Sequence, residues 1–465
     1  MIPTPRYAGE RVVVMGLGKS GLSAAASLRA SGASVEIWDD KPVQMQEGLA
    51  RGFNAFDGVT MPLENVRVVV WSPGIPHTLP RAHPLATRAR AAKVPLACDV
   101  DLMLETQTAA AVIAITGTNG KSTSTALAAH VLATAGRKVA VGGNIGIPAL
   151  ELEPLGHGGI YVLELSSYQL ELVPHLHCET AVLLNITPDH LDRHGDLDGY
   201  VAAKRRIFDG QKHPRTAIIG IDDARSAALC RALQSDGAHK VIPITAKQPV
   251  AGGVYVDNGI LIDATSNAPT PVVDLKTFPR LPGVHNWQNA AAVAAIAGAH
   301  GISHGELVAG LRTFPGLKHR QELVAQVENV TFINDSKATN ADAAEKALVC
   351  YENIYWIAGG VAKDGGITSL APMFPRIRHA FLIGDSAKAF ADSLEGHVPF
   401  ALFTDMESAI EAAGAMALKD KLPGATVLLA PACASFDMFQ SFEDRGDRFR
   451  ADVLARWPQA RKAAS

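Results

Sequence analysis

Nothing in this sequence pairs its cysteines. Cys98, Cys178, Cys230, Cys350 and Cys433 are scattered and odd in number, without the C-x-x-C spacing of a zinc site or redox dithiol, and so read as reduced thiols. Net charge is also lacking, since 43 Lys and Arg against 46 Asp and Glu leave −3. With no overall basic field to draw in a nucleic acid or an anionic membrane, any phosphate site has to be local. No apolar run approaches a membrane span, and MIPTPRYAGE leads into a strand pattern without a basic-then-apolar leader. Low-complexity tracts and short repeats are missing too. The expectation is a cytoplasmic protein with small-molecule partners, no nucleic acid and no membrane insertion.

What is present is ample material for cores: 48% hydrophobic and 19% charged residues over 465 positions, more than one domain usually holds. Strand-length apolar runs alternate with helix-length segments, as in RVVVMG, GLSAAASLRASG and ASVEIWDD, which predicts an α/β chain of parallel sheets covered by helices. Three domains are expected, over 1–100, 101–315 and 316–465. Thr313-Phe314-Pro315-Gly316 forms the second linker and the expected hinge.

The strongest local signal is Gly117-Thr118-Asn119-Gly120-Lys121-Ser122-Thr123, between the strand pattern Ala111 to Ile115 and a helical segment. Strand, glycine loop and helix in that order aim backbone N–H groups at a phosphate, with Lys121 for the terminal phosphates and Ser122 or Thr123 for magnesium. Ile115 stands where the full motif has its first Gly, so the loop is a shortened variant. Glu164 ends the next apolar run, where a nucleotide-bound magnesium needs an oxygen ligand; read alone it is a helix-capping surface acid. Asn185-Ile186-Thr187-Pro188-Asp189-His190-Leu191-Asp192-Arg193-His194 follows a third run and suits a metal or phosphate site, or else a solvated loop. Near the N-terminus, Gly16-Leu17-Gly18-Lys19-Ser20-Gly21, with Asp39 after the next strand, matches a Rossmann-like turn and its ribose-reading acid. Ser72-Pro73-Gly74-Ile75-Pro76 makes a second turn at the same sheet edge, a ligand contact or a rigid connector. In the last third, Lys318-His319-Arg320, Asn334 to Asn340, Gly359-Gly360 with Lys363, and Pro431 to Phe442 each follow a strand pattern.

Taken in order, GLGKSG, SPGIP, GTNGKST, GNIG, ELSSYQLE, NITPDHLDRH, the Y-x-x-A-K segment, HR, NDSKATN and ACASFDMF resemble the Mur ligase family along the whole chain. The shortened phosphate loop is that family's own form. NDSKATN and ACASFDMF are similar to the segments of its D-glutamate-adding member, and the Rossmann-like first domain argues against the members that add a diamino acid or a dipeptide. The resemblance implies a Rossmann-like N-terminal domain, a central P-loop ATPase-like domain and a C-terminal Rossmann-like domain. It implies ATP-dependent amide ligation through an acyl phosphate and a tetrahedral intermediate, with UDP-N-acetylmuramoyl-L-alanine, D-glutamate and ATP as partners of a monomer.

Carried over residue by residue, it implies that Gly18, Asp39, Ser72 and Gly74 hold the uridine diphosphate and that Asn144, Gln169 and His190 lie near the muramoyl part. The loop Gly117, Thr118, Asn119, Gly120, Lys121, Ser122 and Thr123, with Asn289, Arg320 and Asp335, would hold ATP. Ser122, Glu164, His190 and a carbamylated Lys204 would hold two Mg2+ ions. Lys337, Thr339, Lys363, Ser435 and Phe442 would surround the amino acid. Lys121, His190 and Lys204 are the expected catalytic groups. The rival readings are a nicotinamide dehydrogenase built on GLGKSG, a non-catalytic nucleotide module, a ligase of the folylpolyglutamate synthase type, and an L-glutamate-adding enzyme.

Overall fold

The computed structural model describes residues 1–462 apart from Asn267, Asp364 and Ala460. It contains three main sheets, each built around strands whose side chains are buried on both faces. The chain divides into two compact units: Met1–Leu275 with Asn286–Arg312, and Lys276–His285 with Thr313–Ser465.

The first unit holds two sheets. In the first, β1 (Arg11–Met15), β2 (Ser34–Trp38), β3 (Asn54–Ala55), β4 (Val66–Trp71) and β5 (Leu96–Ala97) are parallel and ordered β3-β2-β1-β4-β5. Strand order reverses between β1 and β4, so GLGKSG and SPGIP both leave the crevice where open α/β sheets bind ligands. Gly21 is obligatory there, because a Cβ on it would lie 1.8 Å from the Gly16 carbonyl oxygen.

The second sheet comprises β6 (Ala111–Thr116), β7 (Lys138–Gly143), β8 (Gly159–Glu164), β9 (Thr180–Leu183), β10 (Thr216–Gly220), β11 (Lys240–Thr245), β12 (Val254–Asp257), β13 (Ile260–Asp263) and β14 (Thr270–Asp274). Its order is β14-β13-β12-β11-β10-β9-β6-β8-β7. Strand β6 therefore lies between β9 and β8, and the loops that follow these three strands emerge side by side. The sheet is parallel only as far as β12; β13 and β14 run antiparallel. The reversal is a two-residue turn at Asn258 and Gly259, both at positive φ, the conformation that matches strand twist.

The second unit is built on β15 (Glu322–Val327), β16 (Val330–Asn334), β17 (Ile354–Gly359), β18 (Val361–Ala362), β19 (Ile377–Ile383), β20 (Phe400–Leu402), β21 (Thr426–Leu429), β22 (Cys433–Ala434) and β23 (Arg461–Lys462). The main sheet runs β20-β19-β17-β21-β16-β15-β23, with β15 antiparallel to β16, while β18 and β22 form a separate small ribbon. Here too β17, β21 and β16 are neighbours, so GGVAK, PACASFD and NDSKATN leave one edge together.

Candidate active site

The glycine loop leaves β6 and runs into the helix Lys121–Thr134, whose N-cap is Gly120 at φ 83°. A side chain at Gly120 would meet Asn289 Oδ1 at 2.3 Å, so the loop closes against the helix Val284–Ala299 only with glycine there. Asn289 also accepts from Ser124 Oγ at 3.2 Å and donates to Asn286 Oδ1 at 3.1 Å. From the other side Asn185 brackets the loop, accepting from Asn119 N at 2.8 Å and donating to Asn119 O at 3.2 Å. Lys121 Nζ reaches back to the carbonyls of Gly117 and Thr118 at 2.9 and 2.8 Å, and Ser122 is buried in the first helical turn. Thr118 Oγ1 lies 3.2 Å from the Tyr200 hydroxyl.

Two further ionisable groups converge on this loop. Lys204, on the helix Leu197–Arg205, is 1% exposed and donates to Gly117 O at 2.8 Å, with its Nζ 4.6 Å from the centre of the Tyr200 ring. Burial, with the nearby Lys121 charge as a second cause, holds its ammonium well below the usual lysine range. Glu164, also 1% exposed, is in register with Ile115 on β6, which places its carboxyl beside the start of the loop. Asn144 donates to Glu164 Oε1 at 2.7 Å, while Oε2 is buried with no hydrogen-bond partner among the described residues. A buried orphan carboxyl oxygen beside a phosphate-type loop fits a divalent cation.

His190 caps the short helix Leu191–His194 in a left-handed conformation, 3.3 Å from Asp189 and with its ring 5.0 Å from Tyr168. Burial is the largest influence on it, and its pKa falls below the usual histidine value. Gln169 is buried in a capping box with Ser166, which occupies its Oε1 and leaves its amide nitrogen for other partners.

In the first sheet, Asp39 Oδ2 accepts from Leu17 N at 2.7 Å and its Oδ1 from Lys41 N at 2.8 Å. Its first effect is to fix the glycine turn, with lone pairs remaining on both oxygens. Gly18 caps the helix Lys19–Ala30, and Ser72 N binds Met15 O across the switch point, with Gly74 exposed two residues on.

In the second unit, Asp335 is buried after β16 and accepts from Gln321 N at 3.1 Å; burial pushes its carboxyl up to about 7 against the pull of Arg320. Lys337 is exposed with its Nζ 4.0 Å from the Phe442 ring centre, Thr339 is half-buried, Lys363 is exposed and Ser435 is buried. Beneath them lies Arg445, fully buried, donating to Ser336 Oγ and O at 2.9 and 2.8 Å and to Cys433 O at 3.1 Å. One arginine thus ties NDSKATN to ACASFDMF. Arg445 and Asn185 were absent from the residues expected from sequence: Asn185 stood inside a quoted motif, whereas Arg445 sits on an amphipathic helix with no local mark of its role.

The comparisons with known proteins agree with this geometry. The Mur ligase middle domain matches residues 115–297, and the Mur ligase glutamate ligase domain matches residues 319–433. UDP-N-acetylmuramoylalanine–D-glutamate ligase of Paramagnetospirillum magneticum is 52% identical over 455 residues, covering 98% of each chain. The protein of the same name from Rhodospirillum rubrum is 51% identical over 469 residues, covering all of this chain and 98% of its own. Among solved structures, MurF of Acinetobacter baumannii superposes with a TM-score of 0.60 at 19% identity, over 98% of this chain and 93% of its own. The UDP-N-acetylmuramate-alanine ligase MurC of Thermotoga maritima does so with a TM-score of 0.57 at 18% identity, over 96% and 99%; these two likenesses speak for the fold alone. A phosphate-type loop bracketed by β8 and β9, two full-length relatives above half identity and two matching domains lead to one conclusion: this chain belongs to the Mur ligase family.

Proposed function

We propose that this Mur ligase joins D-glutamate to the carboxyl group of UDP-N-acetylmuramoyl-L-alanine in peptidoglycan precursor synthesis, converting ATP to ADP and phosphate. The observation that carries the reading is the convergence of Lys121, Lys204 and Glu164 on one glycine loop, and the named activity of the full-length relatives supports it.

A carboxylate is a poor acyl donor because its leaving group would be oxide. Lys121 and the amides of Gly117 to Thr123 are suited to hold the ATP phosphates and to stabilise charge on the γ-phosphoryl oxygens as they pass to the substrate carboxylate. Asn289 would support that loop, and Arg320 and Asp335 would complete the nucleotide contacts. Gly18, Asp39, Ser72 and Gly74 would hold the uridine diphosphate, with Asn144, Gln169 and His190 along the muramoyl part. The amine of D-glutamate, held by Lys337, Thr339, Lys363, Ser435 and the backbone around Phe442, then attacks the acyl phosphate carbonyl. The tetrahedral intermediate collapses by expelling phosphate.

Ser122, Glu164, His190 and Lys204 would hold two Mg2+ ions, whose chemistry is to neutralise phosphate charge. An ammonium at Lys204 would repel them. Its burial favours the neutral amine, and among the described residues no carboxylate lies within ion-pair distance. Addition of carbon dioxide to that amine, with loss of one proton, gives a carbamate that supplies an anionic oxygen in place of the neutral nitrogen. No helix among the described residues is long and apolar enough to cross a membrane.

The test is ADP release across a panel of uridine-linked acceptors and glutamate of both configurations. Release that needs UDP-N-acetylmuramoyl-L-alanine and D-glutamate together is expected; equal rates with L-glutamate, or release without the acceptor, would overturn the assignment.

A further inference from the structure

Three segments that follow different strands meet at one carboxylate. Glu171, just past the short helix Ser167–Leu170, has its side chain 16% exposed. His77, one residue beyond the turn Ser72–Pro76, lies with Nε2 3.0 Å from Glu171 Oε2. His194, one helical turn beyond His190, lies with Nδ1 3.2 Å from Glu171 Oε1, an ion-pair contact outside hydrogen-bond geometry, and its Nε2 is 3.0 Å from Ser167 Oγ. Arg90 donates to His77 Nδ1 at 3.2 Å, so that nitrogen is an acceptor and Nε2 carries the hydrogen given to Glu171. Between the two histidines the Glu171 carboxyl is held down at about 2 in spite of its burial. Arg193 makes a parallel tie, donating to Gly74 O at 3.2 Å and Pro73 O at 3.4 Å.

We propose that Glu171 is a positioning residue for the acceptor: by holding His77 and His194 it sets the turn Ser72–Pro76 in register with His190. This rests on the reading above, in which that turn and His190 contact two ends of one substrate. A molecule spanning both contacts is bound well only when their separation is fixed beforehand, because loose ends must otherwise be ordered on binding. The ATP side is braced separately, by Asn185 and Asn289. Loss of the Glu171 link therefore acts chiefly on the acceptor, because the ATP side keeps its own braces and the Mg2+ ions keep Ser122, Glu164 and Lys204.

The experiment compares Glu171→Gln, His77→Leu, His194→Phe and the double histidine variant with the unaltered enzyme, reading kcat and the KM values for UDP-N-acetylmuramoyl-L-alanine and ATP. His194→Phe keeps an aromatic ring at the place that lies 5.6 Å from Tyr168 while removing both nitrogens. Glu171→Gln removes the charge that both histidines face and leaves one acceptor oxygen for two ring nitrogens, so the KM for the acceptor should rise about tenfold while that for ATP stays within about twofold. The two histidine variants should raise it too, with the double variant no worse than the larger single effect, as expected of partners sharing one carboxylate. An unchanged acceptor KM in Glu171→Gln, or both KM values rising together, overturns the proposal. Should Glu171→Gln fail to fold, additive effects of the two histidine variants overturn it alone. If the unaltered enzyme released ADP without regard to the acceptor, the functional reading would fall first; acceptor-dependent release with indifferent variants would sink the role of Glu171 alone.

Discussion

The two units carry their charged groups in opposite ways. In the first, Lys204 and Glu164 are buried, Lys121 is partly so, and both lysines are pinned to backbone carbonyls of the loop they serve. In the second, the lysines proposed to meet the amino acid, Lys337 and Lys363, stand in solvent, and the buried ions, Asp335 and Arg445, lie beneath and hold the strand-end segments. The contrast separates two tasks. Groups that stabilise developing charge gain from low dielectric and fixed geometry, whereas groups that capture a small zwitterion from water need access.

The contrast is tested hardest at Lys121. Replacing it with Ala should lower kcat by about a hundredfold to a thousandfold with the circular dichroism spectrum unchanged; near-normal ADP formation would mean that the buried side is not the activating side. At Lys204, Ala should cost most of the activity, and small carboxylic acids added to the assay should restore part of it by filling the vacated place. Lys204→Arg should fail as well, and labelled bicarbonate should give a carbamate carbon signal. An active Arg variant without that signal would return Lys204 to the role of a buried structural cation.

On the exposed side the effects should be smaller and confined to one substrate. Lys363→Ala and Ser435→Ala should raise the KM for glutamate about tenfold, the worth of one charged or well-placed hydrogen bond, and leave the acceptor KM alone. The reverse pattern would put the amino-acid pocket elsewhere. The smallest effect concerns stability. With its carboxyl raised to about 7 by burial, Asp335 binds its proton more tightly folded than unfolded, so stability falls as pH rises from the ordinary carboxylate range through neutrality. Asp335→Asn, which keeps an acceptor for Gln321 N, should melt a few degrees higher at pH 8 and lose that slope while losing activity, about 2–4 °C per kcal/mol for a unit the size of the second one. A variant that melts lower at pH 8 would show that the buried acid is compensated by groups other than its hydrogen-bond partner Gln321.

Much of this was legible before the structure. Strands β1 and β4 begin and end where RVVVM and VRVVVW do, because parallel strands buried on both faces are nearly continuous apolar runs, broken here only by the half-buried Arg11 and the exposed Arg67. Less visible were the antiparallel edges. Asn258-Gly259 is a strong hairpin signal, yet Val254–Asp257 and Ile260–Asp263 are only four residues each, too short for periodicity to set their direction. The expected phosphate loop, Glu164 and His190 do lie together, since each follows a strand and those strands turn out to be neighbours.

By itself, then, the sequence determined the α/β class, the strand-loop-helix units and the chemical character of each loop, all properties of residues close in the chain. Tertiary structure alone decided which loops share an edge, that Glu164 has a bare oxygen, that Lys204 is out of water, and that Arg445 and Glu171 tie distant segments together. The reason is physical: burial and hydrogen bonding across tens of residues depend on strand order and helix packing, and no local pattern of side chains encodes who the distant neighbour will be.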